Sequence, residues 1–95
     1  MTRADDIRVV HDVAQNCYEA VVQNQRCVAE YVMSDGRMIF THTFVPPELR
    51  GQGIAERIVR FALDDARSKG LKVTPACSYV ARFIDRHGEY QDLVA

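Results

Sequence analysis

Residues 41–55 read Thr41-His42-Thr43-Phe44-Val45-Pro46-Pro47-Glu48-Leu49-Arg50-Gly51-Gln52-Gly53-Ile54-Ala55. A run rich in aromatic and β-branched residues begins at Met38 and is cut after Val45, where Pro46-Pro47 removes two amide donors in succession. From Gly53 to Lys69 the period changes to helical, with Ile54, Ile58, Phe61, Ala62 and Ala66 forming one buried face. Strand, short glycine-containing turn and long helix therefore follow one another directly. That order presents unpaired amides at the positive end of a helix dipole, a setting that suits phosphate. Gly51 and Gly53 let a guest approach the backbone, and Arg50 can add a charge-assisted bond. Taken alone, such a loop is equally well explained as a plain turn.

Upstream, strand-like runs occupy Ile7–His11, Tyr18–Val22, Val28–Met33 and Met38–Val45. Ser34-Asp35-Gly36-Arg37 joins the last two, because Asp-Gly supplies the backbone dihedrals of a tight hairpin, and an antiparallel meander follows. Downstream, Glu56 with Arg60 and Asp65 with Lys69 pair at i,i+4 along the helix, and Gly70 provides its stop. Leu71–Thr74 then reads as a short strand ended by Pro75, with Ser78 capping a second helix through Val80, Phe83, Ile84 and His87. The tail from Gly88 to Ala95 is too short for another unit. The expected fold is α+β: one domain over residues 1–95, with an antiparallel-rich central sheet covered by two helices.

Composition narrows the function classes. The 95 residues carry a formal net charge of -1 from intermingled acids and bases, which gives no footprint for nucleic acid or an anionic membrane. No apolar run approaches the roughly 20 residues needed to span a bilayer, and Met1–Asp6 lacks a leader's apolar stretch, so a soluble cytoplasmic chain is expected. Cys17, Cys27 and Cys77 are an odd set without a C-x-x-C pair, which suggests neither a disulfide framework nor a metal site. Cys17 and Cys27, in apolar runs, read as buried structural thiols. A dinucleotide G-x-G-x-x-G would need glycine where Glu56 stands, and a P-loop would need Gly-Lys-Ser/Thr. Neither pattern is present.

Arg50-Gly51-Gln52-Gly53-Ile54-Ala55 matches R-x-x-G-x-A, and here the chain resembles the GCN5-related N-acetyltransferase family. The likeness extends through Thr41–Leu49 and Leu71–Val80 and looks like a small YjdJ-like or NATD1-like branch, covering most of the chain from about Tyr18. The resemblance implies acetyl-CoA as donor and an amine as acceptor, either a small molecule or a protein lysine or N-terminus. It further implies that backbone amides of Gln52, Gly53, Ile54 and Ala55 hold the pyrophosphate, with Gly51 in the same cofactor-binding loop, that Arg50 contacts a phosphate, and that Val45 pairs with the pantetheine arm. One departure is the lack of the paired N-terminal helices that shape the acceptor pocket in the larger family. The acceptor side would then be open or completed by another subunit, in a monomer or weak homodimer. A non-catalytic CoA-binding or acyl-CoA-sensing module would use the same loop.

Acetyl transfer to an amine needs a proton acceptor and a proton donor for the departing thiolate. Cys77 lies at the C-terminal end of one strand and directly before the second helix, whose N-terminus lowers a thiol pKa, so it is a candidate acyl carrier, acid or base. Its bland alternative is a small residue filling a helix-strand junction. Histidine is a residue type suited to base work, but His42 alternates with Met38, Phe40 and Phe44, which favours a packed, hydrogen-bonded histidine over a catalytic one. Tyr79 could protonate the leaving thiolate or simply pack against the first turn of its helix.

Overall fold

The computed structural model describes residues 7–94; the reading of Met1–Asp6 falls outside them. Five strands, β1 (Val10–Asp12), β2 (Cys17–Val22), β3 (Gln25–Ser34), β4 (Arg37–Phe44) and β5 (Lys72–Pro75), form one sheet in the order β1-β2-β3-β4-β5. The first four run antiparallel as a meander, and β5 joins β4 in parallel after the crossover helix α1 (Ile54–Ser68). Helix α2 (Ser78–Arg86) follows, then a 3-10 segment at Gly88–Leu93. At the β3–β4 turn Asp35 and Gly36 have φ of 49° and 76°, the pair of positive dihedrals expected of the Asp-Gly hairpin.

β3 begins at Gln25, three residues ahead of the expected Val28, and three further readings depart from expectation. The first strand is confined to Val10–Asp12, which pair with Cys17–Glu19 of β2; Ile7 and Val9 precede it and are buried without pairing. Ser78 is the first residue of α2 rather than its cap, and Cys77 holds the cap position. The tail forms the 3-10 segment, which buries Tyr90 and Leu93.

One face of the sheet carries the core. Tyr18, Ala20, Val22, Cys27, Ala29, Tyr31, Met38, Phe40 and Val73 join the inner stripes of both helices in a single cluster. From α1, Ile54, Ile58, Val59, Ala62, Leu63 and Ala66 are buried, and each of the larger ones contributes about 1.5–3 kcal/mol on leaving water. A 15-residue helix is otherwise marginal in water, so this stripe determines its stability. At the far end from the loop, Tyr18 Oη donates to Asp65 Oδ2 at 2.6 Å and Lys69 Nζ donates to the same oxygen at 2.7 Å, fixing α1 to β2.

A bulge in β4 positions everything that follows. Glu30 pairs with His42 and Tyr31 with Phe40, so Thr41 is an extra residue and the alternation changes phase. Before it, Met38 and Phe40 face the core; after it, Thr43 and Val45 point to the helix side, while His42 and Phe44 stack on the opposite face, their rings 6.3 Å apart. The expected packed position of His42 is therefore wrong. His42 is exposed, because one inserted residue reverses a two-residue period.

Candidate functional site

β4 and β5 stay in register only as far as Phe40 and Pro75. Beyond that point β5 ends and β4 continues alone, and the Cys77 amide donates to the Phe40 carbonyl at 2.8 Å, pinning the start of α2 beside the parting strands. The gap opens into a cleft of about 350 Å³. Thr43 from β4, Val45 just beyond its end, Leu49, Arg50, Gly51 and Gly53 from the loop, Ile54, Ala55 and Glu56 from the first turn of α1, and Tyr79 from α2 line it.

The loop end of the cleft is backbone. Gly51 and Gly53 have φ of 83° and 80°, left-handed values that cost a residue with a Cβ about 1–2 kcal/mol. Gly53 is the cap of α1, and no side chain bonds the first-turn amides, so these donors are open to a guest. A Cβ placed on Gly51 would meet no atom within 4 Å, so the glycine leaves open space beside the chain instead of relieving a clash. Arg50 Nε donates to the Val45 carbonyl at 2.8 Å, which ties the loop back to β4 and leaves the remaining guanidinium donors for another acceptor. Open amides, positive dipole end, arginine and unfilled space together fit a pyrophosphate group.

The other end carries the thiol. Cys77 Sγ lies 3.4 Å from Thr43 Oγ1 and is partly buried. Burial pushes the thiol up, but the Thr43 hydroxyl and the amides of Val80 and Tyr79 outweigh it and hold Cys77 below the ordinary thiol value. Those amides face the sulfur without the geometry of a capping hydrogen bond, so they act through their dipoles. Tyr79 is pushed up, by burial first and by the Glu56 carboxylate second, and stays a proton donor at neutral pH.

Of the residues singled out from sequence, Val45, Arg50, Gly51, Gly53, Ile54, Ala55 and Tyr79 line the cleft, and Cys77 adjoins it through Thr43. Gln52 belongs to the same loop but does not line the cavity, and His42 is on the other face of β4. Thr43, Leu49 and Glu56 were not anticipated. Thr43 was within reach of the pattern, since it stands two residues before Val45 and shares its side of the strand. Elsewhere Asp12, Cys17 and Glu19 converge, but Arg26 already donates to Glu19 at 2.9 Å and to Cys17 Sγ at 3.3 Å, which places a guanidinium where a cation would sit.

A family model for GCN5-related N-acetyl-transferases matches residues 17–93, a span holding the entire cleft. The chain belongs to the GCN5-related N-acetyltransferase family. Within it the chain falls in the NATD1-like branch, being similar to Protein NATD1 of Mus musculus and of Homo sapiens. Each is 31% identical over 81 residues, which make up 82% of this chain and 74% and 72% of the two relatives. The fold matches the solution structure of a GCN5-like protein from Staphylococcus aureus with a TM-score of 0.73, across 98% of this chain and 89% of that one, at 23% identity. This N-acetyltransferase-family chain builds its sheet from five strands and, among the described residues, covers one face of it with helices. None of those helices is long and apolar enough to cross a membrane.

Proposed function

We propose that this chain transfers an acetyl group from acetyl-CoA to an amine, and that Cys77 carries the group between donor and acceptor. The observation that supports it best is the 3.4 Å contact between Cys77 Sγ and Thr43 Oγ1 at the head of a cleft whose other end is the uncapped start of α1. Amides from Gly51 to Ala55 hold the pyrophosphate, Arg50 adds charge, and the β4 edge at Val45 aligns the pantetheine arm. Acetyl-CoA supplies the activated acyl group.

With its proton lost to solvent, the Cys77 thiolate attacks the acetyl carbonyl, forming a new S–C bond as the carbon–sulfur bond to the donor breaks. Tyr79 gives its phenolic proton to the departing thiolate. An amine then attacks the Cys77 thioester, the C–S bond breaks, the amide forms, and the amine's surplus proton returns to Tyr79. Cys77 and Tyr79 both regain their starting forms. No histidine lines the cleft among the described residues, which favours a route through the cysteine thiol over one that needs a neutral imidazole.

Intact-mass measurement after incubation with acetyl-CoA tests this. Wild type should gain the mass of one acetyl group, lose it when an amine is added, and fail to gain it as Cys77→Ala. Full turnover by Cys77→Ala would remove the covalent step, and CoA binding without turnover across a broad amine panel would assign an acyl-CoA-binding module.

A further inference from the structure

A second cavity, of about 140 Å³, is lined by Glu56, Tyr79, Arg82, Phe83, Arg86 and His87. It shares Glu56 and Tyr79 with the cleft, so it opens directly off the first turn of α1. Arg82 and Arg86 stand one turn apart on the exposed side of α2 and converge on it. Like charges at this spacing repel and cost helix stability. Three arginines of the fold are neutralised, Arg26 by Glu19, Arg60 by Glu89 and Arg67 by Asp92, while Arg37 and Arg50 donate to backbone carbonyls. Among the described residues, neither Arg82 nor Arg86 has a carboxylate at ion-pair distance, and the nearby Glu56 carboxylate faces His87 Nε2 at 3.8 Å instead. Arg86 partly offsets the negative end of the α2 dipole; Arg82, in mid-helix, has no such role.

We infer that Arg82 and Arg86 form a subsite for the ribose 3′-phosphate of coenzyme A, so that the chain selects CoA over its 3′-dephospho form. The inference rests on the reading of the main cleft as the CoA site. With the pyrophosphate on the α1 amides, the phosphomonoester hangs one ribose away, and the adjoining cavity offers two guanidinium forks to a dianion.

Calorimetric titration with CoA and with 3′-dephospho-CoA tests it without reference to turnover. Wild type should bind CoA at least about tenfold tighter than the dephospho form, as charge-assisted bonds in a solvent-open site allow. The Arg82→Ala/Arg86→Ala variant should lose that preference while its affinity for dephospho-CoA stays the same, and Arg57→Ala, whose side chain lines neither cavity, should keep it. Equal wild-type affinities, or a double variant that weakens both ligands alike, would overturn the subsite and leave the cleft assignment standing. Binding of neither ligand would overturn both.

Discussion

Replacing Gly51 by alanine separates what the loop does for the fold from what it does for a ligand. The φ of 83° puts alanine in the left-handed region, at about 1–2 kcal/mol, and the smaller unfolded-state entropy returns about 0.4–1 kcal/mol. Nothing lies within 4 Å of the new Cβ, so no steric penalty is added and the net loss is about 1 kcal/mol. For a domain of this size that lowers the melting temperature by roughly 4–8 °C. Gly70, just beyond the other end of α1, is the matched control: its φ is 69° and its Cβ would also meet nothing within 4 Å. Thermal melts with and without CoA then give two readings. At a hundredfold excess over Kd, a bound ligand adds about 2.7 kcal/mol to wild type, more than either substitution removes. Both variants should start lower by the same few degrees. Gly70→Ala should recover the full CoA-dependent rise, whereas Gly51→Ala, with a methyl group in the cradle, should recover little of it. Equal rises in the two variants would refute the cradle.

Thr43→Val should move the inflection in Cys77 alkylation against pH upward, because the hydroxyl that steadies the thiolate is gone, while Thr43→Ser should keep it in place; an unmoved inflection in the valine variant would sever the pair. Asp65 provides a pH test of the fold: burial raises its carboxyl pKa, but hydrogen bonds from Lys69 and Tyr18 outweigh this and hold it below the ordinary 3.8. A depressed carboxyl contributes stability above its unfolded value and loses it as pH falls through the folded one, so urea midpoints of Asp65→Asn should decline less than wild type below about pH 4. Phe40→Ala removes a fully buried ring between Tyr18 and Tyr31 and should cost about 3–5 kcal/mol in urea melts, enough to leave the chain largely unfolded at 37 °C.

The sequence disclosed features whose cause is local. Asp35-Gly36 makes its turn by dihedral preference, α1 follows from one apolar stripe, and the loop end of the cleft occupies one unbroken segment from Val45 to Glu56. The other hairpin, at Gln23 and Asn24, takes φ of 51° and 62° without a glycine, so polar residues marked a turn there but not its type. The antiparallel pairing of Cys17–Val22 with Gln25–Glu30 across that turn imposes the strained dihedrals.

The thiol end of the cleft is hidden for a different reason. The bulge exists only because Glu30 and Tyr31 meet β4 on either side of Thr41, a relation between two strands that neither strand encodes alone. It turns His42 away and brings Thr43 inward, reversing which of two adjacent residues can act. Cys77 is 34 residues further along the chain, and the parallel register that ends at Phe40 and Pro75 delivers its sulfur to the Thr43 hydroxyl. Had β4 run without the bulge, the imidazole of His42 would have faced the thiol in place of that hydroxyl. The chemistry proposed here thus depends on one inserted residue, since a Thr–Cys pair stabilises a thiolate by a hydrogen bond where a His–Cys pair would have taken its proton.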